Sequence, residues 1–111
     1  MREIDWKLSK ENDFSGVIRL AVPKYKARLE LVKDLGIKYT DDGKADLGQS
    51  MDSAIKLFDM VEKHVKKVAI VHKKTKIEIK SLEDLEYHPE GQVIINELSG
   101  LLINGVPLGN G

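Results

Sequence analysis

Three histidines, His64, His72 and His88, are the residues whose type suits metal or proton chemistry, and the chain has no cysteine to join them. A metal centre needs ligands clustered by a helical or hairpin spacing, and these imidazoles are far apart in sequence with no HxxxH repeat. Solvated or hydrogen-bonded side chains are their plain reading. His64 and His72 come together only if the following hairpin folds back on the preceding helix, in which case Glu62 supplies an acid for a two-histidine site. Asp41-Asp42-Gly43-Lys44-Ala45-Asp46 has the flavour of a calcium loop but lacks the D-x-[DN]-x-[DN]-G order and the distal glutamate. A turn followed by a helix cap accounts for it. Adjacent carboxylates at Asp41–Asp42 and Glu83–Asp84 fall in a turn and at a helix start, and nothing marks them as a glycosidase pair. No G-x-S-x-G elbow, Walker loop or G-x-G-x-x-G is present. The sequence thus predicts no catalytic, cofactor-binding or metal residue.

Charge gives a second candidate. Lys63, Lys66, Lys67, Lys73, Lys74, Lys76 and Lys80 face one acid, Glu78, within a single stretch. Read as a phosphate-binding face, Lys66, Lys67, Lys73, Lys74 and Lys76 would hold nucleic acid through backbone charge. The stretch carries neither arginine nor an aromatic ring for base readout or stacking. Edge lysines that keep a hairpin from pairing with other sheets explain it as well. Over the whole chain 18 basic residues balance 18 acidic ones, so no polyanionic partner follows from net charge.

These side chains must be positioned by a small number of elements. The chain has 111 residues, 41% of them hydrophobic and 32% charged, enough for one modest core. Aromatics make up 5%, so aliphatic side chains fill it. Ile4-Asp5-Trp6-Lys7-Leu8 alternates as a half-buried strand, and Gly16 to Val22 reads as a second strand completing a hairpin. Pro23 suits the first turn of a helix running to Leu35, with Tyr25, Leu29, Val32 and Leu35 on one face and Gly36 as C-cap. Asp46 and Gln49 form a capping box for a helix over Leu47 to Val65. Its stripe is Met51, Ala54, Ile55, Phe58, Val61 and Val65, and it is the expected centre of packing. Val68 to Val71 and Ile77 to Ile79 form a second hairpin around Lys73 to Lys76. Ser81 caps one short helical turn, and Pro89 with Glu90 opens a last helix. The predicted fold is α+β: a small antiparallel sheet from two hairpins on about three helices, in the order ββααββα. Residues 1–104 form one domain and 105–111 a flexible tail.

The last helix bears the most apolar surface. Ile94, Leu98, Leu101 and Leu102 form one face, and apolar residues spread beyond it. In a domain this small, such a face either meets a partner or a second copy, or closes the core. The absence of a signal-like apolar run at Met1 to Trp6, of any stretch of about 18 apolar residues, and of cysteine points to a soluble cytoplasmic protein away from membranes.

Several features recur in order. An early tryptophan strand is followed by a hydrophobic strand ending Val22-Pro23 before a helix. Then come the helix Ile55 to Val65, the strand Val68 to Val71, the run Ser81-Leu82-Glu83-Asp84-Leu85-Glu86-Tyr87-His88-Pro89-Glu90-Gly91, and a helix ending Leu101-Leu102-Ile103-Asn104-Gly105. From Gly16 to Gly105 this order resembles the tail assembly chaperones of long-tailed bacteriophages and prophages. The resemblance implies a protein of the infected host's cytoplasm. Such a protein binds the long, hydrophobic tape measure protein and keeps it soluble while tail tube subunits assemble around it. It implies no cofactor and transfers no individual binding residue. The tail tube protein and a second copy are further expected partners, and the Ile94–Leu98–Leu101–Leu102 face is the expected protein-binding surface.

Overall fold

The computed structural model describes residues 2–36, 41–42 and 51–106, with the side chains of 51–53 excepted. The strands are β1 (Arg2–Lys7), β2 (Phe14–Val22), β3 (Val65–His72) and β4 (Glu78–Ile79). The helices are α1 (Tyr25–Leu35), α2 (Met51–His64), α3 (Leu82–Tyr87) and α4 (Gly91–Asn104). One four-stranded antiparallel sheet runs β1-β2-β3-β4, so the two hairpins are joined along β2 and β3. The fold is α+β, and the order matches the sequence reading with the short helical turn after Ser81 counted as α3.

Alternation decides the two faces of the sheet. Ile4, Trp6, Ile18, Leu20, Val68, Ile70 and Ile79 turn inward to the helices and join one apolar cluster. Glu3, Asp5, Lys7, Val17, Arg19, Lys67, Ala69 and Glu78 are exposed on the opposite face. Gly16 sits at φ 131° where β2 passes β3 so closely that a Cβ would strike the Ala69 carbonyl oxygen. An extra residue, Lys66, bulges from β3 opposite Arg19 and Leu20.

The centre of packing is α4 and not α2. It touches α1, α2 and α3, and Gly91, Ile94, Leu98, Ser99, Leu101, Leu102 and Ile103 are buried along it. A helix apolar around most of its circumference is pulled inside; α2, amphipathic, can serve only one side. The inward stripe of α2 is Leu57, Met60, Val61 and His64, while Ile55 stays 59% exposed. The predicted stripe therefore belongs partly to the outer face. In α1 the same holds: Val32 and Leu35 are buried, but Tyr25 is 68% and Leu29 40% exposed.

Capping follows the sequence with small displacements. Gly36 takes the left-handed conformation at φ 69° and its N–H bonds to the carbonyls of Lys33 and Val32. Pro23 lies one residue outside the N-cap Lys24, because Val22 before it remains extended in β2. Likewise Pro89 precedes the N-cap Glu90 and α4 begins at Gly91. Ser81 Oγ accepts from the Asp84 N–H at 3.1 Å, and Asp84 returns its carboxylate to the N–H of Lys80 at 3.0 Å. The proposed caps at Asp46 and Gln49, and residues 107–111 of the expected tail 105–111, lie outside the described residues. Gly105 closes α4 and Val106 packs against the core.

Candidate functional site

The four side chains expected to offer a docking face do not. Ile94, Leu98 and Leu102 are 0% exposed and Leu101 is 8% exposed. They are the floor onto which the sheet and the other helices close, since no other element carries enough aliphatic surface to fill a core poor in aromatics. On α4 the exposed apolar residue is Val93, at 60%.

The lysine stretch also divides. Lys66 and Lys67 lie at the start of β3, whereas Lys73, Lys74 and Lys76 lie past its end. An eight-residue strand separates the groups by about 25 Å. Lys66 Nζ turns back to the Lys63 carbonyl and Lys73 Nζ to the Lys10 carbonyl. Lys67 stands on the open sheet face near Asp5. No continuous basic ribbon results.

The same strand keeps His64 and His72 apart, which removes the two-histidine site with Glu62. Buried His64 uses Nδ1 on the Met60 carbonyl, one turn back, at 2.7 Å. Instead, His72 meets His88, a pair the sequence spacing did not suggest. The rings stack with centroids 5.0 Å apart and planes at 28°. Phe14 from the start of β2 sets its edge against both, at 5.0 Å and 5.1 Å. This knot ties the β3–β4 hairpin to the α3–α4 turn.

Hydrogen-bond partners fix the tautomers of both rings. His72 Nδ1 accepts from the Thr75 N–H, so Nε2 carries the proton and donates to the Glu90 carboxylate. His88 Nδ1 accepts from the Glu90 N–H at 3.1 Å, leaving Nε2–H as a donor. Both basic lone pairs are therefore occupied by backbone. With Nδ1 of each ring engaged by a backbone N–H, both imidazoles are tied into the local fold. Among the described residues no cluster of three His, Cys, Asp or Glu side chains has metal-binding geometry.

Over the knot opens a groove of about 580 Å³. Ile77, Ile79, Tyr87 and Pro89 line it with carbon, and Lys74, Glu78, Asp84 and Glu90 bring charges to it. Tyr87 is 83% exposed and Ile77 49% exposed, although both are large and apolar. Tyr87 ends α3 and points away from the core because Leu85 is the residue that α3 buries. Gly91 allows the next helix to start directly against α3: a Cβ there would overlap the Leu85 carbonyl oxygen. Glu83, like Asp84, belongs to the first turn of α3, where a carboxylate suits the helix dipole.

Elsewhere the charges are ordinary surface pairs. Arg19 donates to Asp5 at 2.9 Å and 3.3 Å across β1 and β2. That hydrogen bond, with the guanidinium charge, holds the Asp5 carboxyl below its usual range and raises Arg19. Asp41 and Asp42 lie in an exposed turn, and the rest of the calcium-like sequence falls outside the described residues. No described helix is long and apolar enough to cross a membrane. Compared with models of protein families, with curated proteins and with solved structures, the chain matches none.

Proposed function

We propose that the chain is a protein-binding assembly chaperone of the phage-tail type, which holds an apolar helical segment of a tape measure protein in solution. The observation carrying this reading is the groove between the β3–β4 hairpin and the α3–α4 turn, with Tyr87 and Ile77 left uncovered beside it. An amphipathic helix docks by placing a few side chains into such a trough, while charges at its rim set orientation. A holdase of this kind needs exposed carbon on a well-packed frame and no reactive group. The occupied lone pairs of His72 and His88 agree with a framework role for the histidines. The resemblance along Gly16 to Gly105 supplies the partner. The surface differs from the one expected of α4, whose leucines serve the core.

Co-expression tests it. A tape measure protein from the same source is expected to gain soluble yield and to co-purify with the wild-type chain. Tyr87→Ser with Ile77→Ser should abolish both effects while leaving the far-UV spectrum unchanged. Failure of the wild type to form any complex would end the reading; a complex indifferent to both substitutions would move the surface elsewhere.

A further inference from the structure

Among the described residues no strand pairs with the outer edge of β1, and this edge has a composition and a hydrogen-bond phase that suit a second copy of itself. The Leu8 N–H bonds to the Gly16 carbonyl, and Leu8 stands opposite Gly16 when the β1–β2 register is extended by one residue. In an antiparallel ladder, bonded and non-bonded pairs alternate. Arg2, Ile4 and Trp6 therefore bond to β2, and the N–H and C=O groups of Glu3, Asp5 and Lys7 point outward from the edge.

From this we infer that the chain self-associates by antiparallel pairing of β1 with β1 of a second copy, joining two four-stranded sheets into one. A two-fold axis at Asp5 puts Glu3 opposite Lys7 of the second copy, and Lys7 opposite its Glu3, on the open face. All the outward backbone groups then meet outward groups. On the inner face Ile4 falls beside Trp6 of the second copy, a half-buried apolar pair of the kind that stabilises strand pairing. Asp5 meets its own copy at the axis, but each carboxylate already carries the guanidinium of Arg19 from its own chain. Neither Glu3 nor Lys7 forms an ion pair among the described residues, and the Arg19 charge reaches Glu3 only at longer range.

Neighbouring registers are worse. Sliding by one pleat in one direction sets Glu3 against Asp5 of the second copy, and like charges directly opposite are unfavourable. Sliding the other way still sets Asp5 against Lys7 on both sides, but it carries Glu3 past the end of the second copy's strand and relies on Asp5, which Arg19 already holds. Natural edges resist such pairing by carrying charge of one sign or inward-pointing charge; this edge carries alternating sign with two-fold self-complementarity. The inference does not depend on the groove, which is at the β4 edge, or on its occupant.

Sedimentation equilibrium of the full chain is the test, with a monomer–dimer equilibrium expected between roughly 10 µM and 1 mM for an interface one strand wide. Glu3→Lys and Lys7→Glu should each weaken it roughly tenfold or more, by replacing two attractive pairs with two repulsive ones. An equimolar mixture of these two single variants should dimerise again, because both pairs between positions 3 and 7 then have opposite sign. In the wild type, amide exchange at Glu3, Asp5 and Lys7 should slow as concentration rises. A chain that stays monomeric at 1 mM, a dimer unmoved by both reversals, a mixture no tighter than its components, or a dimer with unprotected amides at those residues would each overturn the inference.

Discussion

Truncating Leu98 to alanine separates a core α4 from a docking α4. Leu98 is 0% exposed and lies in the single apolar cluster. Removing the carbons beyond Cβ forfeits about 2.4 kcal/mol of burial at ~0.8 kcal/mol per carbon. The helix that carries it packs on α1, α2 and α3, so the site cannot collapse fully. A residual void of roughly 40 Å³ at about 24 cal/mol per Å³ adds about 1 kcal/mol. Leu98→Ala should therefore lose about 3.4 kcal/mol, a large share of the ~5–15 kcal/mol typical of a domain. Urea denaturation followed by far-UV circular dichroism reads this directly, with an unchanged m-value and a Tm lower by roughly 13 °C. Val93→Ala, on the same helix at 60% exposure, should change stability by less than about 0.5 kcal/mol. If Leu98→Ala behaved like Val93→Ala, the burial of α4 would be refuted and its leucines would return as a binding face.

Gly91→Ala should cost about 2–3 kcal/mol in the same assay, because its Cβ would meet the Leu85 backbone, which cannot move without unseating α3. Ser81→Ala removes the cap on α3 and should cost about 1 kcal/mol; Ser81→Asp should restore most of it. Asp5→Asn tests the surface pair through pH. The folded carboxyl is held below its unfolded value, so the stabilisation is complete above about pH 4 and is lost as pH falls through the lowered folded value. Wild type and Asp5→Asn should therefore differ at neutral pH and converge in acid, the gap shrinking with added salt. His72→Ala should loosen the groove without unfolding the sheet, seen as faster amide exchange at Thr75 and lower yield of any complex.

Elements with strict local signals were legible in the sequence. Alternation in Ile4 to Leu8 and in Gly16 to Val22 produced the first hairpin, Ser81 the cap of α3, and Gly36 the end of α1. Which apolar stripe faces inward was not legible for α1 and α2, because each carries more apolar residues than one face can bury. Tyr25, Leu29 and Ile55 lost that competition once α4 occupied the centre. For the same reason the leucines of α4 looked like a surface: sequence shows that a helix is greasy all round, but not whether enough neighbours exist to enclose it. The groove was hidden for a different reason. His72 and His88 are brought together by the β4 return and the α3 turn, a long-range closure with no periodic trace. Tyr87 and Ile77 are single apolar residues in polar surroundings, which local patterning treats as incidental.

The indole N–H of Trp6 donates to the Glu97 carboxylate at 2.8 Å, and Asn12 shares that carboxylate. The chain's one tryptophan thus bridges β1 and α4 at one margin of the sheet, while Tyr87 stands near the other. The indole and the Tyr87 phenol are two kinds of fluorophore on separate surfaces, with Tyr25 and Tyr39 as further tyrosine emitters. Excited at long wavelength, the indole will register detachment of α4 or the arrival of a neighbouring chain along β1, and remain blind to filling of the distant trough. A tyrosine response that is lost in Tyr87→Phe while the indole stays silent would map an added ligand to the β4 side, because Tyr25 and Tyr39 emit as well.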